Sequence, residues 1–150
     1  FRNVTGVQTC ALPISIRWYQ IDVSTATPKV KQSGTYQPDT AQHRWMGSIA
    51  VDKVGGAAVG YTASGSASYP SLRYAGRTAT ATSGTFDQTE QILVAGTGAQ
   101  KGGYNRWGDY SDLALDPADG CTFWYTGEYY ATTGNAWRTR IGSFKLPGCV

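Results

Sequence analysis

Arg44-Trp45-Met46-Gly47-Ser48-Ile49-Ala50-Val51-Asp52 returns further along the chain as Arg106-Trp107-Gly108-Asp109-Tyr110-Ser111-Asp112-Leu113-Ala114-Leu115-Asp116. The second copy is longer by two: seven steps separate Arg106 from Leu113, five separate Arg44 from Ile49. With that shift Ile49, Val51, Asp52, Gly56, Val59 and Tyr61 fall opposite Leu113, Leu115, Asp116, Gly120, Phe123 and Tyr125. A unit that recurs after roughly sixty residues points to a repeat architecture, in which each copy buries its apolar face against a neighbour.

The units are β. Glycine (19 residues), tyrosine (10) and tryptophan (5) are plentiful while charged residues make up only 15% of the chain. Aromatic and β-branched side chains suit a pleated, half-buried surface, and Gly, Asn and Asp mark the turns between strands. Alternation predicts strands over 17–23 and 30–36, then 48–52, 57–63, 71–77 and 90–95 in the first full repeat. The second repeat supplies 110–115, 121–128 and 136–145 before Pro147-Gly148 ends the pattern. No segment sustains a helical period, because Gly and β-branched residues interrupt each candidate.

Four hairpin-linked strands per repeat match the blade of a β-propeller. On this count the chain is an all-β partial propeller of two to three four-stranded antiparallel blades. It holds the last two strands of one blade, one whole blade and three strands of another. The missing strand of the final blade is expected from upstream sequence, since a closed propeller completes one blade with a distant strand and leaves no sheet edge. A β-sandwich also accommodates seven to nine short strands, but it leaves the repeat unexplained.

Residues 1–15 stand apart. Val4-Thr5-Gly6-Val7-Gln8-Thr9-Cys10-Ala11-Leu12-Pro13-Ile14 resembles the conceptual translation of a short-read sequencing adapter, a contaminant of metagenomic gene calls. The segment is therefore set aside from fold reasoning. Native sequence is expected to run over residues 16–150, with more of the gene upstream, and neither the Asn3 sequon nor Cys10 carries weight. Cys121 and Cys149 remain. An even pair with one member beside the C-terminus reads as a disulfide made in an oxidising compartment, so the protein is expected to be secreted or held at the cell surface. Two buried free thiols are the alternative. The net charge of +3 is scattered and forms no basic run, so nucleic acid is not an expected partner. Nor does any stretch approach the roughly 20 apolar residues of a membrane span.

The Gly108–Ser111 start, the Leu113–Asp116 strand and the Phe123–Thr126 strand are similar to blades of the sialidase-like propellers built from bacterial neuraminidase repeats. More closely, residues 44–77 with 105–149 resemble the C-terminal region of large secreted bacterial proteins. The shared runs are Arg106–Ser111, Asp116–Thr126 and Thr139–Phe144. The resemblance implies a propeller scaffold with upstream blades of the same protein as partners. The sialidase Asp-box, a Ser-x-Asp-x-Gly-x-Thr-Trp turn device, is echoed at Asp119–Trp124 with altered spacing. In that device a carboxylate ties down hairpin amides and does no chemistry.

Sialidase-type hydrolysis needs an arginine cluster for the substrate carboxylate, a Tyr nucleophile with a carboxylate partner, and an Asp acid/base. Arg44, Arg73, Arg77, Arg106, Asp109, Tyr110, Asp112, Arg138 and Arg140 are the available types. Arg106, Asp109 and Tyr110 stand at the entry of an inner strand, where a propeller channel opens, and form the candidate catalytic set. Arg44 is the counterpart of Arg106 and, with Trp107 and Tyr129, a candidate ligand contact. Recurrence of Arg beside Trp equally fits a structural role, an Arg stem lying along an aromatic or an inter-blade ion pair. Asp52 and Asp116 read as hairpin caps. Asp109, Asp112, Asp116 and Asp119 lack the Gly and closing Glu of a calcium loop, so no metal or other cofactor is expected. Three functions fit: a scaffold that recognises glycans or a cell-surface polymer, a fragment of a sialidase-like glycoside hydrolase, or a structural module of an adhesion protein. The first is favoured, since the chain holds no nucleophile–base pair of diagnostic spacing.

Overall fold

The computed structural model describes residues 13–102 and 106–150, all of it strand, turn and loop with no helix. The Asn3 sequon, Cys10 and most of the adapter-like segment lie outside the described residues. Its last residues do not: the Ile14 carbonyl accepts the Arg44 N–H at 2.8 Å.

Among the described residues nine strands form three antiparallel sheets in chain order. The first sheet pairs β1 (Ile16–Asp22) with β2 (Lys29–Tyr36). The second runs β3 (Gln42–Val51), β4 (Ala57–Gly65), β5 (Ser68–Arg77) and β6 (Gln88–Val94). The third runs β7 (Asp112–Leu115), β8 (Thr122–Tyr129) and β9 (Arg138–Lys145). The division into two, four and three strands is the one the repeat predicted.

Within the middle sheet, β4 is buried on both faces. In β4 every residue from Ala57 to Ala63 is buried, as its Ala-Ala-Val-Gly-Tyr-Thr-Ala composition requires of a strand with no polar face. Val59, Tyr61 and Ala63 point one way and join Ile16 of β1 and Ala75 of β5 in one core. Ala58 points the other way and meets Leu72, Leu113, Phe123, Tyr125 and Leu146 in a second core. Burying Phe123 and Tyr125 completely stabilises the fold by about 1.5–3 kcal/mol per side chain. Gly60 lets the sheets approach this closely, because a Cβ there would lie 2.4 Å from the Tyr125 ring.

The two repeats diverge where the sequence alignment placed them in step. The β3–β4 hairpin closes from the Asp52 N–H to the Gly56 carbonyl, the β7–β8 hairpin from the Asp116 N–H to the Thr122 carbonyl. The second loop is thus longer, and Leu115 opposes Phe123 where Val51 opposes Ala57. Tyr125, not Phe123, is therefore the structural counterpart of Val59. Strand β3 also starts earlier than Ser48, because a bulge between Trp45 and Ser48, with Met46 at a φ of 54°, breaks the alternation without ending the strand. In the second copy the strand begins only at Asp112, and Arg106 through Ser111 stay outside the sheet.

The Cys121–Cys149 disulfide is formed, with the two Cα atoms 5.5 Å apart. It draws the C-terminal residues back to the start of β8 and holds Leu146 against Gly76 of the middle sheet. No helix of the described residues is long and apolar enough to cross a membrane.

Candidate functional site

Arg44 and Arg106, equivalent in sequence, sit in opposite environments. Arg44 lies within β3 and is fully buried. Its guanidinium donates to Glu90 at 2.7 Å, to Asp39 at 2.5 Å and to the Gln42 carbonyl at 3.3 Å. Arg73 and the Tyr61 hydroxyl, the latter at 2.7 Å, also converge on Glu90. Burial pushes the Glu90 carboxyl up, but the donors from Arg44, Tyr61 and Arg73 outweigh it and leave the group below its ordinary value. Burial, with the Glu90 charge, drives the Tyr61 phenol far above its ordinary value. Glu90 is thus the acceptor hub of a closed ion-pair network, and sequence spacing gave no hint of it. Arg44 contacts no open surface. Arg77 is likewise spent on the Ala81 and Thr85 carbonyls.

Arg106, Asp109 and Tyr110 do come together. They line an open cleft of about 510 Å³ with Gln100, Lys101, Glu128, Tyr130, Asn135 and Trp137, within the roughly 300–1,000 Å³ typical of small-molecule sites. Arg106 is ion-paired to Asp109, both largely in solvent, and Tyr110 is 91% exposed. Glu128, near the end of β8, accepts the Gly108 N–H at 2.9 Å on Oε2. Its Oε1 is buried and has no donor among the described residues. Trp137, just before β9, is 62% exposed at the rim.

Trp107 and Tyr129 are placed differently from the expectation of exposed ligand contacts. Trp107 is half-buried between the second and third sheets, edge-on to Trp45, tilted against Tyr130 and donating to the Thr62 hydroxyl at 3.3 Å. Tyr129 is half-buried and does not line the cleft, while its neighbour Tyr130 is buried and its hydroxyl takes a 3.2 Å hydrogen bond from Gln100. Strand alternation explains the pair: Tyr129 shares the face of Phe123 and Tyr125, which packs on the middle sheet. Trp137, which does reach the cleft rim, precedes β9 and carries no periodicity to mark it.

The aspartates of the turns are structural. Asp52 accepts the Val54 and Gly56 N–H groups at 3.0 and 2.7 Å, and Asp116 accepts that of Ala118 at 2.9 Å. Asp119 accepts the Cys121 and Thr122 N–H groups, each at 2.8 Å, the Thr122 hydroxyl at 2.7 Å and Lys145 at 2.9 Å. Lys145 and these amides hold its carboxyl far below the usual range. The Asp119 carboxylate thus ties down the backbone amides at the start of β8. Among the described residues no three His, Cys, Asp or Glu side chains gather as a metal-ligand set. No protein-family model, no curated protein and no solved structure matches this chain.

Proposed function

We propose that residues 16–150 are blades of a secreted bacterial β-propeller that acts as a scaffold and recognises glycans or a cell-surface polymer through the Arg106–Trp137 cleft. The observation that carries the reading is the face-to-face order of the sheets. The first strand of the second sheet runs beside the first strand of the third, with the Leu113 N–H on the Ser48 hydroxyl at 2.9 Å and the Ser111 hydroxyl on the Met46 carbonyl at 2.8 Å. Consecutive blades of a propeller meet in this way around its axis. The outward faces of the two end sheets expose apolar side chains among polar ones, Tyr19, Ile21 and Val30 beside Arg17, Ser33 and Thr35 on one, Trp124 and Ile141 beside Thr126 and Ser143 on the other. Further blades would cover them. The disulfide fits an oxidising compartment.

The cleft supports recognition more than hydrolysis. Arg44 and Arg73 are consumed by Glu90 and do not reach it. The hydrolase reading keeps one favourable observation, the convergence of Arg106, Asp109 and Tyr110. The two separate in one experiment, in which the chain is incubated with immobilised cell-surface polysaccharides and with a fluorogenic sialoside. Retention on a polysaccharide without fluorophore release is the expected result. Release that Asp109→Asn abolishes would hand the site to a hydrolase, and neither retention nor release would leave only a structural module.

A further inference from the structure

Resting on the glycan reading, we infer that the cleft takes a neutral sugar ring rather than an acidic one. Among the described residues four charged side chains line it, Lys101 and Arg106 against Asp109 and Glu128, and they sum to zero. A sugar carboxylate is held best by an uncompensated guanidinium presenting two parallel donors. Arg106 is the one arginine among the described residues of the lining, and its guanidinium already faces the Asp109 carboxylate. An acidic sugar would have to break that pair and would then meet Asp109 and Glu128 as like charges.

A neutral ring meets no such repulsion. Its apolar face fits the exposed Trp137 indole, which presents a large rigid surface with one polar edge. Its hydroxyls are donors, and Glu128 can take one: Oε2 is held by Gly108 while Oε1 has no partner among the described residues. An unpaired buried carboxylate oxygen is costly, so a hydroxyl that reaches Oε1 while Gly108 keeps Oε2 is favoured. Trp137 thus supplies area and Glu128 supplies orientation.

The test is titration of the full chain, followed by tryptophan fluorescence, with cellohexaose, maltohexaose and chitohexaose as neutral probes and sialyllactose and oligogalacturonate as acidic ones. Saturable binding of a neutral probe is expected, weakened about tenfold by Trp137→Ala and by Glu128→Gln. Circular dichroism melting unchanged in both variants would separate lost contact from lost fold. Binding of the acidic probes alone, still lost in Trp137→Ala, would overturn the neutral-sugar inference and leave glycan recognition standing. Binding of neither class would remove both.

Discussion

At the residue scale the decisive group is Glu90. It neutralises two arginines, one of them wholly buried, and receives the Tyr61 hydroxyl. Removing its charge leaves Arg44 buried with only the half-exposed Asp39 as an ionic partner, and breaking a buried pair costs about 3–5 kcal/mol. Glu90→Gln is therefore expected to lower the urea midpoint by that equivalent without changing the slope. The network also sets the pH limits of stability. Glu90 and Asp39 are held below their ordinary values of 4.5 and 3.8, so in acid the unfolded chain takes up protons that the folded chain refuses. Their contribution is complete above about pH 4.5 and is lost as the pH falls through the depressed values. Tyr61 is raised above its ordinary 10.0, so its contribution is complete below pH 10 and is lost as the pH rises beyond it. Melting temperatures taken across pH should show a plateau between these limits, with a shallower acid limb in Glu90→Gln. The sequence displayed Arg44 through its neighbour Trp45. It could not display Glu90, whose partners Arg44, Tyr61 and Arg73 lie on three other strands.

At the scale of the element, alternation located every strand, and turn chemistry located the hairpins. What it missed has local causes. The Met46-Gly47 bulge hid the first half of β3, and the longer Asp116–Thr122 loop displaced the register of β8 by two. The two arginines of the Arg-Trp pairs part at this scale too: Arg44 is inside a strand and buried, Arg106 is outside one and lines the cleft. The C-terminal clamp belongs to this scale as well. Closing the loop between Cys121 and Cys149, 28 residues apart, removes unfolded-state entropy equivalent to about 3–4 kcal/mol. A Cys121→Ser, Cys149→Ser double variant should lose roughly that much in denaturant unfolding, and reductant should destabilise the native chain equally. Equal stability with and without the bridge would show that Leu146 needs no tether to stay against Gly76.

At the scale of the whole molecule, several of the exposed apolar residues gather on sheet faces. Ile49 and Val51 lie on the face of the middle sheet that packs on the first sheet, and they are 43% and 52% exposed because the two described strands of that sheet do not reach over them. Leu113, whose face is covered by the four-stranded sheet, is buried. Together with Tyr19, Ile21, Val30, Trp124 and Ile141 they form faces of a kind that other sheets bury. The repeat made the sheet order legible. It could not show which faces stay open, since that depends on how many strands each sheet contributes. Sedimentation velocity of the chain over a wide concentration range tests the blade account most directly. Blades with two open faces and unpaired strand edges should self-associate as concentration rises, through dimers to larger species. A monomer at every concentration that also unfolds in one cooperative step would contradict the account and favour a closed β-sandwich.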